Sequence, residues 1–296
     1  FCDPRLWRAW ITGYGGGSSF DGNTVVGSGN LKTHNQGIAA GLDYQFDPNY
    51  LIGLSVGGGH SAFGVEQRAT TGKVDAGHIA LYGAAKYGNF YANGLLGFDF
   101  LHATTQRYAM IQGTDAPVNP VAGAYDALGN SFDGRAISGR LEGGYKANFS
   151  GVNVTPFAAL QFSSLHLDGS TEHAQGTTGG LALNYAGRTI NSFPSFLGAQ
   201  IDTRFYFGET TYLEPFLRAS WVHEFANRRS VEAGFTAAPG YNFVVYGASA
   251  PRDSALVEAG VNLVSASGLS IYGKFSGNFS KSSHDLTGSG GLRYSW

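Results

Sequence analysis

Three observations predict an all-β protein, a single twelve-stranded antiparallel transmembrane β-barrel. Apolar and polar residues alternate along many segments, which is the period of strands with one apolar face. Charged residues make up 14% of the 296-residue chain, against about 25% in an average soluble domain. Aromatic residues make up another 14%, and they gather at one end of the alternating segments. Such a composition suits a sheet that faces lipid.

The hydropathy of the chain argues against transmembrane helices, so any crossing of a bilayer is expected to be made by strands. No run approaches the roughly 18 apolar residues that a transmembrane helix needs, and the mean hydropathy is −0.11. Backbone groups in hydrocarbon have no water to bond, so strands cross a bilayer only as a closed barrel. A soluble β-sandwich or barrel is the alternative, because the two-residue period does not tell which medium covers the apolar face.

Alternating runs between turn residues predict twelve strands. The clearest run has Leu197, Ile201 and Phe205 on one face, with Gln200 and Asp202 on the other. In chain order the strands are predicted at 5–17, 35–47, 50–63, 71–87, 89–107, 132–147, 151–167, 194–207, 211–225, 252–265, 268–280 and 283–296.

The predicted connections alternate in length. Short turns are expected at 47–49, 87–89, 148–150, 208–210 and 265–268. Longer loops are expected near 18–34, 64–70, 108–131, 168–193 and 226–251, with one short connection at 281–282. Outer-membrane barrels show this arrangement, with short periplasmic turns and long extracellular loops. An even strand number places the first and last strand ends on the periplasmic side.

Aromatic side chains crowd the short-turn end of the predicted strands. They are Phe46, Tyr50, Tyr87, Phe90, Tyr145, Phe149, Tyr206, Phe207, Tyr212, Tyr294 and Trp296. Amphipathic rings favour the headgroup level of a bilayer, so a belt of them locates one membrane boundary. A soluble sandwich has no reason to collect aromatic residues at one end, and the belt therefore favours the membrane barrel.

The last predicted strand carries a pattern of its own. Polar Ser289 is followed by Gly291, Leu292, Tyr294 and Trp296. This pattern resembles the C-terminal sorting signal of bacterial outer-membrane barrels. It predicts the outer membrane of a Gram-negative bacterium as the location and outer-membrane lipid as a partner.

Four blocks of sequence together resemble a known family. They are the Trp-rich segment 6–16, the segment 215–225 with Trp221, His223, Glu224 and Phe225, the stretch 235–260, and the terminal Gly291–Trp296. In this order they resemble the translocator domain of autotransporters, the type V secretion proteins of Gram-negative bacteria. The resemblance makes His223 and Glu224 a structural feature of the ninth strand. The residues alone also allow an ion pair at the barrel rim.

The resemblance implies a function as well as a fold. The barrel would anchor an N-terminal passenger and help to export it to the cell surface, after insertion by the outer-membrane barrel assembly machinery. Residues 1–4 would end a linker from the upstream passenger or lumen helix, and residues 5–296 would form a monomeric translocator barrel. A passive outer-membrane pore or small-molecule channel is the alternative, and an outer-membrane hydrolase or adhesin ranks below it.

The inner face of this barrel is predicted to be polar and roomy. Twelve strands lie between the filled barrels of eight and the open porins of sixteen, so the lumen should admit one helix about 10 Å wide. Small residues expected to face it are Gly41, Gly53, Ser55, Gly57, Ser138, Gly198, Ser220, Gly260, Ser289 and Gly291. Charged residues expected to face it are Asp43, Asp99, Arg140, Glu142, Asp202, Arg204, Glu214, Arg218, Glu258, Lys274 and Arg293. These charges could bind a polar linker or satisfy one another across neighbouring strands.

No enzyme, cofactor or metal site is predicted. The segment Gly53–Gly57 matches the G-x-S-x-G pattern of hydrolases, but it lies within a strand and no helix follows it. Asp99 and His102 are close in sequence near a long loop, yet such proximity is weak evidence for catalysis. Cys2 is the single cysteine, which excludes an intramolecular disulfide. A net charge of −2 does not indicate the basic surface that nucleic-acid binding requires.

Overall fold

The computed structural model describes residues 6–23, 27–66, 69–111, 124–208, 210–226, 230–247 and 251–296. The predicted linker 1–4, and Cys2 within it, lie outside the described residues. The described strands are β1 (Trp7–Phe20), β2 (Leu31–Asp47), β3 (Tyr50–Val65), β4 (Thr70–Tyr87), β5 (Phe90–Ile111), β6 (Ala124–Tyr145), β7 (Ala147–Phe149), β8 (Val152–Leu167), β9 (Ser170–Thr171), β10 (His173–Ala174), β11 (Leu183–Tyr185), β12 (Arg188–Ser192), β13 (Pro194–Thr203), β14 (Phe205–Phe207), β15 (Thr211–Glu224), β16 (Ser230–Phe235), β17 (Asn242–Tyr246), β18 (Asp253–Val264), β19 (Leu269–Phe279) and β20 (Ser283–Ser295).

Twelve of these described strands close into one antiparallel barrel. Around the barrel the order is β1, β2, β3, β4, β5, β6, β8, β13, β15, β18, β19 and β20. Closure comes from the pairing of β1 with β20 and of β6 with β8. The short strands β7 and β14 continue the pairing to β8 and β15 at the short-turn end. The predicted fold class and strand number are confirmed.

Glycines make several of the short turns. Gly88, Gly208 and Gly268 have φ angles of +58°, +84° and +89°. Residues with a side chain rarely adopt this left-handed backbone, whereas glycine adopts it without steric cost. At the first short turn the Asp47 carboxylate accepts a hydrogen bond from the Asn49 backbone N–H at 2.9 Å. The turn chemistry in the sequence therefore ends the strands where predicted.

The long-loop ends of several strands extend further than predicted. Strand β2 begins at 31 rather than 35, and β1 ends at 20 rather than 17. The largest difference is the predicted loop 108–131, because β5 and β6 pair as far as Ile111 and Ala124. Neighbouring strands can satisfy each other's backbone groups in water as well as in lipid, so the ladder continues where the apolar alternation has ended.

The two longest predicted loops contain strands. Segment 168–193 includes β9 to β12, and segment 226–251 includes β16 and β17. A second sheet of four strands forms in the order β17, β16, β11 and β9, and β10 adds to β6. Strands of two to six residues are too short to show a readable period, so the sequence pattern missed them.

The apolar faces of the barrel strands point away from its interior. Leu141 and Leu217 are 64% and 52% exposed, whereas Glu142 and Arg218, next to them in the chain, bond to each other across the interior. A soluble sandwich or barrel would bury its apolar face instead. This orientation decides between the two alternatives in favour of the membrane barrel. Among the described residues, no helix is long and apolar enough to span a bilayer.

Candidate functional site: the barrel lumen

Glu142 on β6 is the centre of a polar cluster inside the barrel. Its carboxylate accepts hydrogen bonds from Arg218 at 2.6 and 3.1 Å, from Arg140 at 2.9 Å and from Tyr91 at 3.0 Å. Strands β8 and β13 separate β6 from β15, which carries Arg218, so this bond crosses the interior. Glu142 is 8% exposed. Because a buried carboxylate without partners would be very unfavourable, the cluster satisfies its charge.

The cluster continues to strands β18 and β19. Glu258 lies 3.3 Å from the Nε atom of Arg218 and accepts a hydrogen bond from Lys274 Nζ at 2.9 Å. The guanidinium of Arg218 also lies over the Phe157 ring, 3.5 Å from its centroid. A chain of alternating charges, which we call the lumen charge chain, therefore runs from Arg140 and Glu142 through Arg218 and Glu258 to Lys274.

A second polar cluster lies on the inner face of β1, β2 and β4. Asp43 on β2 accepts hydrogen bonds from Trp10 Nε1 at 3.1 Å and from the Tyr82 hydroxyl, and Arg8 lies 3.5 Å away. Trp10 Nε1 also lies 2.7 Å from the Tyr82 hydroxyl. These contacts join β1, β2 and β4 across the inner face.

Several of the remaining predicted lumen charges have partners of their own. Asp202 accepts hydrogen bonds from Lys146 at 3.0 Å and Asn153 at 2.7 Å. Arg204 donates to Glu214 at 2.8 Å. Asp99 pairs in register with His78, and Arg293 lies 5.7 Å from the Tyr272 ring centroid. The contacts of Asp202 with Lys146 and of Arg204 with Glu214 are those of charges that satisfy one another across strands, and a role in holding a linker stays a prediction.

Aromatic rings occupy much of the room expected beside the inward glycines. In each case the glycine and the aromatic residue are direct partners across two neighbouring strands. The pairs are Trp10 with Gly41, Tyr82 with Gly53, Phe216 with Gly260 and Tyr272 with Gly291. A side chain at any of these glycines would meet the ring. Sequence reasoning missed these pairs because it did not give the strand register.

The family-like strand motif divides between two faces of β15. Trp221 and His223 both contact the Asp253 carboxylate, at 3.0 and 2.8 Å. Glu224 accepts hydrogen bonds from the backbone N–H groups of Phe193 and Ala226, both at 2.8 Å. The rim pair that the residues allowed between His223 and Glu224 is replaced by two separate contacts: His223 lies against Asp253, whereas Glu224, on the other face, holds the chain between β12 and β13.

The Phe225 ring, next along the motif, contacts the rings of His223 and Phe193, with centroid distances of 4.7 and 6.0 Å. These contacts continue the packing of the motif at the long-loop end of the barrel.

The C-terminal strand closes the barrel seam. Trp7 and Trp296 exchange backbone hydrogen bonds of 3.1 and 3.0 Å. The Tyr294 and Trp296 rings are stacked with centroids 5.8 Å apart, and Leu292 and Tyr294 are exposed on the outer face. Both rings therefore remain available on the surface while the backbone completes the ladder. Recognition of the predicted assembly signal, which includes Ser289 and Gly291, stays a prediction.

The residues weighed for catalysis do not come together. Asp99 faces the interior, whereas His102 lies on the outer face of the same strand. His102 contacts Asp133 at 2.7 Å through Nδ1 and Ser131 at 3.3 Å through Nε2. This connectivity is that of a serine hydrolase triad. Such His–Asp contacts recur elsewhere on the outer face, for example between His60 and Asp75 at 2.7 Å. We therefore interpret His102 as part of a surface pattern. The described residues contain no group of three metal ligands.

Comparison with protein families decides the identity of the barrel. The profile of the family described as Autotransporter beta-domain matches residues 9–276. The chain belongs to this family. It is an outer-membrane β-barrel translocator for passenger export, located in the Gram-negative outer membrane, as the sequence blocks predicted. The family is not a family of enzymes. A search of curated protein sequences found no match to this autotransporter β-domain.

Solved structures share the fold of this autotransporter β-domain. The translocator domain of NalP from Neisseria meningitidis has a TM-score of 0.74 at 15% identity, covering 99% of this chain and 89% of that one. The β-domain of BrkA from Bordetella has a TM-score of 0.65 at 17% identity, covering 98% and 100%. The transport unit of AIDA-I from Escherichia coli has a TM-score of 0.62 at 15% identity, covering 100% and 93%.

Proposed function

We propose that the passenger linker passes through the lumen and rests against the lumen charge chain. The observation that carries this proposal is the polar lining, because it keeps a polar polypeptide solvated while the outer face meets lipid. Glu142 is already saturated by its donors. Lys274, by contrast, has a side chain that is 43% exposed and can donate to carbonyl or carboxylate groups of a linker.

Three further statements belong to this proposal. Residues 5–296 act as one barrel domain, and residues 1–4 end the linker from the upstream passenger or helix. The outer-membrane barrel assembly machinery inserts the barrel into outer-membrane lipid by recognising the last strand. The chain works as a monomer. It is not an enzyme, because a translocation path needs solvated walls rather than reacting groups.

Surface exposure of a reporter tests the export function. A signal peptide, an epitope and a linker are fused ahead of Phe1, and protease is added to intact cells. We expect loss of the epitope while the barrel stays in the outer membrane and a periplasmic marker stays intact. The same fusion without the barrel is the control, and its epitope should be protected. A protected epitope on a correctly inserted barrel would favour the passive pore instead.

Cross-linking tests the path of the linker. Cys2 is first changed to serine, and one cysteine is placed in the linker of a passenger stalled during export. We expect a disulfide with Ser138→Cys, on the inner face, and none with Ile137→Cys, its neighbour that is 50% exposed on the outer face. Equal cross-linking at both positions would contradict a path through the lumen.

A further inference from the structure

Histidine and aspartate alternate directly across four neighbouring strands on the outer face of the barrel. His60 on β3 pairs in register with Asp75 on β4, which pairs with His102 on β5, which pairs with Asp133 on β6. Both His–Asp contacts measure 2.7 Å. We call these four residues the His–Asp row. Because such polar side chains are unfavourable in hydrocarbon, the height of the row on the barrel indicates where the hydrocarbon region ends.

The His–Asp row lies at the outer edge of the apolar band. A tilted strand crosses the hydrocarbon in about 9–11 residues, and that length counted from Phe90 ends just before His102. The preceding outer-face side chains are apolar, with Phe100 at 64% and Ile79 at 43% exposure. Lipid headgroups of the outer leaflet therefore lie level with the row.

A depression of about 900 Å³ opens beyond the row, on the extracellular side. We call it the headgroup site. Its walls include Lys32, His34, Lys73, Thr104, Ser131 and His173. By strand alternation, the first five belong to the same outer face as His60 and His102. The volume lies within the range of small-molecule pockets, and the lining includes two lysines and four residues with hydroxyl groups alongside Ala62, Phe63 and three glycines.

Lys73 is the cation of this site that is available to an anionic ligand. It makes no ion pair with any residue that the structure describes, whereas Lys32 is held by Glu66 at 2.5 Å. Thr104 and Ser131 follow Lys73 in register on the next two strands. An ammonium beside two hydroxyl groups can bind a phosphate and hydrogen-bond to sugar hydroxyls.

We propose that the headgroup site binds the phosphorylated saccharide headgroup of an outer-leaflet lipid. Its phosphate meets Lys73, its sugar meets Thr104 and Ser131, and its acyl chains lie along Phe100 and Ile79. The charge of Lys73 and the continuity of the site with the apolar band favour a lipid over a soluble ligand. The site lies outside the lumen, so the inference is independent of the proposed linker path.

Lipid binding by the purified chain tests the proposal. The barrel is extracted from outer membranes in detergent, stripped of lipid, and titrated with diphosphoryl lipid A in native mass spectrometry. We expect Lys73→Gln to weaken binding about tenfold. Lys281→Gln should leave it unchanged, because Lys281 lies between β19 and β20, away from the site. Dephosphorylated lipid A should bind as weakly to the unaltered chain as diphosphoryl lipid A binds to Lys73→Gln.

Two outcomes would overturn the proposal. Equal losses for Lys73→Gln and Lys281→Gln would indicate attraction to net charge alone. Equal binding of phosphatidylglycerol and diphosphoryl lipid A would exclude saccharide recognition. Each variant is first checked for the heat-dependent gel shift of a folded barrel, and Thr104→Val provides a second, nearly isosteric variant. Unchanged binding by both folded Lys73→Gln and Thr104→Val would also reject the site.

Discussion

Trp10 and Gly41 show how single residues set the shape of the lumen. The indole lies where a Gly41 side chain would be, and its Nε1 atom donates to Asp43 at 3.1 Å. The ring cannot move away without losing that bond. Glycine at this position therefore serves a close approach between two strands, and the same holds at the three other aromatic–glycine pairs.

Substitution of Gly41 tests this packing. We expect Gly41→Ala to lower the free energy of unfolding by about 1–3 kcal/mol, because the new Cβ atom would lie 2.5 Å from the Trp10 ring. Gly77→Ala is the matched control, since nothing lies within 4 Å of its Cβ position. Urea unfolding in lipid vesicles measures both. Equal effects would show that the ring moves aside freely.

Glu142 is the residue on which the lumen charge chain depends most. Glu142→Gln should lower the free energy of unfolding by about 3–5 kcal/mol, because Arg140 and Arg218 would keep their charges without the carboxylate. Asp133→Asn removes an exposed partner of His102 and should cost less than about 1 kcal/mol. Urea titration compares the two variants. A loss from Glu142→Gln no larger than from Asp133→Asn would mean that water in the lumen screens the cluster.

At the scale of elements, the small sheet of β9, β11, β16 and β17 is held to the barrel by a buried ion pair. Glu172 accepts hydrogen bonds from Arg107 at 2.5 and 2.8 Å and from the Tyr185 hydroxyl at 3.0 Å. It also accepts one from the Leu183 backbone N–H at 2.9 Å. One carboxylate therefore joins the outer end of β5 to β11.

Removing this charge should release the segment without unfolding the barrel. In Glu172→Gln we expect chymotrypsin to cleave after Tyr185, on β11 of the small sheet, about tenfold faster, because charge-assisted bonds to a buried group are lost. Glu232→Gln is the control, since Glu232 is an exposed partner of Asn242 in the same sheet. The heat-dependent gel shift should persist in both variants. Unchanged cleavage would mean that backbone pairing alone holds the sheet.

Tyr185 makes the same contact sensitive to alkaline pH. Burial, and then the nearby Glu172 carboxylate, raise the pKa of Tyr185 to about 12. A raised pKa in the folded state means that the stabilisation is complete below the unfolded pKa of about 10 and is lost as the pH rises towards 12. The ultraviolet difference titration between wild type and Tyr185→Phe should show one tyrosine ionising near 12. An ionisation near 10 would contradict the buried contact.

At the scale of the whole molecule, the seam between β1 and β20 allows the role of the last strand in closing the barrel to be distinguished from its role in assembly. The backbone of Trp296 pairs with Trp7, whereas its ring stacks on Tyr294 at the surface. The side chain can thus be removed with the ladder intact. The predicted assembly signal and the closure of the barrel are therefore separable by mutation.

Trp296→Ala should fold in detergent but accumulate several-fold less in the outer membrane of living cells. The reason is that the assembly machinery would lose an aromatic recognition group, whereas the backbone pairing remains. Tyr206→Ala is the control, because Tyr206 is a surface aromatic residue at the same end of the barrel but not in the last strand. Western blots of outer-membrane fractions measure accumulation. Equal accumulation of both variants would argue against the assembly signal.

The sequence by itself determined the class of the fold, the twelve strands, the short-turn end and the family. These properties follow from local information, because alternation, turn residues and aromatic belts are visible within about ten residues. The lumen charges were also predicted, since alternation assigns a face to each residue along a strand.

Only the tertiary structure decided which residues meet. The bond between Glu142 and Arg218 and the cover of Gly41 by Trp10 depend on strand register and on closure of the barrel. The sheet of β9, β11, β16 and β17 joins two segments far apart in the chain, and its strands are too short to show a period. Register, closure and loop pairing are set by contacts across the whole molecule, and no local pattern contains them.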